Sequence, residues 1–86
     1  MSFRNADLSA ISYANGFTLW HYRSPDSLDD MLMPGYFDQA HKMLRAHDFI
    51  HVNALIDDAR PEHGTFVVGD SSAECVRVAL GMRVRP

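Results

Sequence analysis

The chain has 86 residues, enough for one domain with a limited core. A hydrophobic content of 47% against 22% charged residues excludes a chain disordered throughout. A formal charge of −3 disfavours a general nucleic-acid binder, and a lone Cys75 excludes an internal disulfide scaffold.

Residues 1–15 lack the basic start, long apolar run and small-residue cleavage site of a signal peptide. No apolar run is long enough to span a bilayer, so the expectation is a product of the cytoplasm with no membrane partner. The same residues show no sustained period. Asn5, Asp7, Ser9 and Asn15 favour turns, while Phe3, Leu8, Ile11 and Tyr13 are scattered apolar points. The reading is an extended N-terminal arm, with a frayed terminus as the alternative.

Asn15-Gly16 signals a turn, and Phe17 to Arg23 (FTLWHYR) follows as a strand rich in aromatic residues. Alternation puts Phe17, Leu19 and His21 on one face and Thr18, Trp20 and Tyr22 on the other. Large groups on both faces mean either that the strand is buried twice or that one face meets a partner subunit. The second reading predicts that Trp20→Ala weakens assembly more than it unfolds the monomer.

Ser24 to Met33 is a polar connection in which LDDML forms a helical turn capped by Asp26 or Ser27. Asp29 and Asp30 are adjacent and point different ways, so they read as solvated or capping carboxylates and not as an acid/base pair. Met33-Pro34-Gly35 then opens a helix expected over residues 35–46, with Phe37, Ala40 and Leu44 as its buried stripe and Asp38–Lys42 as a solvent-side ion pair. That helix ends without a glycine, which suggests a left-handed His47.

Phe49 to Ala54 alternates, with Ile50, Val52 and Ala54 facing inward. The turn cluster DDARPEHG leads to a strand through Thr65 to Val68, and Gly69 to Ser72 turns into a last strand over Glu74 to Leu80. The fold class is therefore mainly β with one short α-helix. The sheet is small, antiparallel and curled, either open or closed as a barrel, and an extended N-terminal arm precedes it. The expected organisation is an arm at 1–15, a β-rich domain at 16–80 and a tail at 81–86 that carries Arg83 and Arg85. Between Asp26 and Glu62 there are eight acids and three bases, so the basic tail suits either head-to-tail contacts between copies or plain flexibility.

Five histidines invite a metal reading, but His47 and His51 sit at a helix–strand junction and no CxxC or carboxylate cluster supports them. Cys75 lacks any feature that would activate it as a nucleophile and reads as a half-buried structural thiol. No phosphate loop or paired catalytic carboxylates are present, so neither an enzyme nor a cofactor is expected.

The order NGFTLWHYRS, PGYFDQAHKMLRAHDFIHVNA, HGTFVVGDSS and VRVAL resembles a family of small phage and prophage capsid-associated proteins: head decoration, head-fibre or spike-base components, including those of phage-like gene transfer particles. Gly35, Tyr36, Phe37 and Ala40 match the family's GYF-x-x-A element, and Asp48, Ile50 and Val52 its G-D-x-I-x-V strand, with His47 where glycine is expected. The resemblance implies a virion structural protein on the capsid surface. It would form a cyclic trimer or pentamer with itself, bound to the major capsid protein and possibly to a fibre protein. The candidate contact residues are Phe3, Ile11, Tyr13, Trp20, Tyr22, Arg83 and Arg85. The alternative is a small glycan- or receptor-binding module that uses Trp20 and Tyr22.

Overall fold

The computed structural model describes residues 3–14, 16–72 and 75–84, without the side chains at 14, 70, 72 and 82–84. Five strands form one open sheet in sequence order. They are β1 (Leu8–Ala14), β2 (Phe17–Arg23), β3 (Phe49–Ala54), β4 (Glu62–Ser72) and β5 (Cys75–Val84). The helical segments are short: α1 (Leu28–Met31) and 3-10 turns at Asn5–Asp7 and Asp38–Ala40. The mainly-β class with one short α-helix is what the structure has, and the question of barrel or open sheet is answered by an open sheet.

Three of the four strand contacts are antiparallel, but β2 and β3 run parallel, with Trp20 beside Ile50 and Tyr22 beside Val52. A parallel pair needs a long crossover, and residues 24–48 supply it. An all-antiparallel sheet overlooks the length of that connection. The crossover lies over one face of the sheet and buries it. Inward residues of the strands (Tyr22, Ile50, Val52, Phe66, Val68) meet Leu28, Met31, Phe37, Ala40 and Leu44 from the crossover in one core.

The N-terminal segment is no arm. Residues 8–14 pair with β2 along its length, and Phe3 is only 6% exposed. Phe3 stacks on Tyr22 at 5.3 Å between ring centroids and meets Phe37 edge-on at 5.6 Å. The scattered apolar points of this segment concealed a strand because a bulge between Ala10 and Ser12 breaks their alternation.

The expected helix over 35–46 is also absent. Gly35 has φ +89°, Asp38–Ala40 is a 3-10 turn, and the Ala40 carbonyl accepts from both Met43 and Leu44 at 2.9 Å. The stripe prediction nevertheless holds, since Phe37, Ala40 and Leu44 are all buried. Single turns place those three side chains as well as a helix would, and a short isolated helix carries a nucleation cost that tertiary contacts here avoid. Asp38 directs its carboxylate to the Val76 N–H (2.9 Å), not to Lys42. Among the described residues the one α-helical turn belongs to LDDM, where Ser27 and Asp30 form a reciprocal capping box.

His47 adopts the left-handed conformation expected of it, at φ 78°, with its N–H donating to the Val68 carbonyl at 2.8 Å. The tail expected at 81–86 is strand through Val84, since β5 pairs with β4 as far as His63–Val84.

Candidate functional site

Two polar networks hold the covered face together. Asp48 is 2% exposed and accepts three N–H groups: the Thr18 amide (2.8 Å), the Trp20 indole (3.0 Å) and the Arg45 amide (3.0 Å). It ties β2, the end of the crossover and the start of β3 into one corner, and the bonds compensate its burial. In the second network, Tyr36 donates to Asp26 at 2.7 Å and lies 2.9 Å from the Tyr22 hydroxyl, which accepts from the Arg4 amide at 3.2 Å. Burial pushes the Tyr36 phenol far above its usual range. A side-chain bond to Ser24 works against this, and the bonds to Tyr22 and Asp26 add to it.

Among the described residues no layer lies over the opposite face of the sheet. Residues paired across neighbouring strands share a face, so the registers define its rows. One row runs Ser12, Leu19, Phe49, Val67, Ala79, with Phe17 against Phe49 at 5.4 Å between ring centroids. Phe49 remains 39% exposed. The next row runs Ser9, His21, His51, Thr65, and the third Arg23, Asn53, His63. The Asn53 amide donates to Nε2 of His21 at 2.9 Å, and its carbonyl oxygen accepts from Nδ1 of His63 at 2.6 Å. His51 Nδ1 lies 3.0 Å from the Thr65 hydroxyl. These imidazoles are occupied with neighbours in the sheet. Among the described residues no group of three His, Cys, Asp or Glu side chains is placed to hold a metal ion.

A third feature is a groove of about 500 Å³ between the 31–37 turn and β5, lined chiefly by Met31, Leu32, Met33, Phe37, Val76 and Val78. Cys75, at its rim, is exposed and not half-buried as its sequence context suggested.

The candidate contact residues divide into two groups. Phe3 and Tyr22 lie in the monomer core, and Trp20 is half-buried with its indole bonded to Asp48. Ile11 (54%) and Tyr13 (74%) are exposed on β1, as an association role requires. Arg83 sits in β5 opposite Gly64, and Arg85 lies outside the described residues. Sequence reasoning missed Phe49 as a surface residue although its outward phase was legible. It also missed the His21–Asn53–His63 bridge, which depends on the parallel pairing of β2 and β3.

No protein-family model, curated protein or solved structure matches this chain.

Proposed function

We propose that this chain is a non-enzymatic structural subunit that works by association: a capsid decoration or cement protein, or the base of a vertex spike or head fibre, on a tailed-phage or phage-like particle. The observation that carries the association part is the apolar surface left open on so small a domain. Ile11, Tyr13 and Phe49 are exposed at 54%, 74% and 39%, and Phe49 stands in a row with Leu19 and Val67 on a sheet face that nothing covers. Apolar groups left open at the β1 edge and along the open-face row suit contact sites, and burying them contributes about 25 cal/mol per Å² against the cost of association.

The virion part rests on the order of segments from Asn15 to Leu80, which resembles the capsid-associated proteins named above. The partners in this reading are further copies in a ring, the major capsid protein and, at a vertex, a fibre protein. Trp20 and Tyr22, the rings a glycan-binding module would use, are taken up by the Asp48 corner and by Phe3 and Tyr36.

Quantitative mass spectrometry of particles from the source tests the reading. A copy number that tracks every capsomer identifies a decoration protein, and one restricted to the vertices a spike or fibre base. Absence from particles sinks the virion assignment.

A further inference from the structure

The open sheet has two unlike edges. At one end β5 runs for ten residues as the outermost strand, and it is covered at its start, where Asp38 takes the Val76 N–H at 2.9 Å. Beyond that point it has no neighbouring strand, and an uncovered edge of this length is a template for another strand. Beside it, on the covered side of the sheet, lies the apolar groove of about 500 Å³. At the other end β1 is outermost and carries, among the described side chains of the strands, the two most exposed large apolar ones, Ile11 on its bulge and Tyr13.

The registers relate these two ends. Tyr13 pairs with Thr18, whose amide donates to Asp48. The Val68 amide donates to the Asp48 carbonyl at 2.8 Å, and Val68 pairs with Val78. Tyr13 and Val78 are thus the two ends of one row across the sheet. Thr18 lies on the Trp20 side of β2, so Tyr13 stands on the covered side, the same side as the groove that Val78 lines.

Strand sense agrees with this pairing. One antiparallel contact, one parallel and two antiparallel leave β5 running opposite to β1. A second copy related by rotation about an axis along the strands therefore presents its β1 antiparallel to β5, the more favourable ladder. At zero stagger its Tyr13 comes level with Val78. Pairing β5 with β5 would instead leave Ile11 and Tyr13 of both copies in water.

We propose that β1 of a second copy adds to the β5 edge as an antiparallel strand, with Tyr13 of the incoming copy seated in the groove lined by Met31, Leu32, Val76 and Val78. The contact joins two different surfaces and repeats from copy to copy, which closes a ring when the rotation between copies divides a full turn and otherwise extends as a filament. This inference rests on the assembly reading above and names the surfaces that carry it.

The test is cross-linking of the full chain in a Cys75→Ser background. Ser12 and Ala79 are exposed, small and at opposite ends of one row, so the double variant Ser12→Cys, Ala79→Cys places two thiols across the proposed seam without touching Tyr13. Mild oxidation should give a ladder of covalent oligomers that stops at the ring size, while either cysteine alone gives none. A seam slipped by two residues moves the cross-link to Arg77→Cys and still supports the proposal. Tyr13→Glu, at a site 74% exposed, should leave the fold intact and weaken association by about tenfold or more, since it sets a carboxylate into an apolar groove. Cross-linking by a single cysteine would mean a same-edge pairing and overturn the proposal. Oligomers in sedimentation without any cross-link from the pairs would overturn it too, and leave the assembly reading standing. A monomer at every concentration would remove both.

Discussion

The same strands build both faces of this sheet, and the two faces have opposite fates. On the covered side Tyr22, Ile50, Phe66 and Val68 are wholly buried under the 24–48 crossover. On the open side Phe17, Leu19, Phe49 and Val67 shield one another only in part, and Phe49 keeps 39% of its surface in water. Side-chain chemistry does not separate them, for each face has its own row of large apolar groups. What separates them is the presence of a second layer. The covered face holds the fold together, and the open face keeps its apolar groups in contact with solvent.

Substitutions at two phenylalanines break that comparison most sharply. Phe37→Ala removes the ring at the centre of the aromatic cluster and should cost about 3–5 kcal/mol of unfolding free energy in urea titration. Phe49→Ala should cost under about 1 kcal/mol in the same titration, because its ring is already 39% exposed. Equal losses would mean the open face is core after all.

Asp48→Ala comes next. It leaves three N–H donors unpartnered in and around a buried corner and should destabilise by about 3 kcal/mol. Asp48→Asn should recover part of that, because its carbonyl oxygen can accept from Trp20 and Arg45 in place of Oδ2 while its amide confronts the Thr18 donor. Trp20→Ala belongs with this corner and should unfold the monomer more than it weakens assembly, the reverse of what the sequence led us to expect.

The smallest effect is alkaline. Burial raises the Tyr36 phenol in the folded state above the unfolded value near 10, so the folded chain holds that proton more tightly. Its contribution is full below about pH 10 and declines as pH rises past that value. The urea midpoint should therefore fall between pH 9 and pH 11, with a shallower fall in Tyr36→Phe.

Periodicity revealed much of this. The strands at Phe17–Arg23 and Phe49–Ala54, the inward phase of Ile50, Val52 and Ala54, and the left-handed His47 were all legible, because each follows from local spacing or local sterics. Three features were not. β1 was hidden by its bulge at Ile11, which puts two residues opposite one and scrambles the alternation. The Phe37–Leu44 stripe has helical spacing without a helix, because Asp38 is drawn to Val76 and Gly35 turns left-handed. The Asp48 corner depends on which strands lie side by side, and no window of sequence contains Thr18, Trp20 and Arg45 together. Ile11 and Tyr13 are exposed, while Phe3 and Tyr22, given the same role from sequence, are buried in the core and Trp20 is half-buried, a difference that depends on contacts distant in sequence.

The parallel seam between β2 and β3 has a kinetic consequence. The β1–β2 hairpin and the β3–β4–β5 meander each form from neighbours in sequence, whereas joining them closes the whole 24–48 segment into a loop. Closing that loop carries an entropic cost before any contact across the seam compensates it, so the seam is the step that loop-closure entropy is expected to slow most. Until it forms, each half exposes an unpaired strand edge, and it is in that interval that newly made chains are most open to pairing with one another out of register.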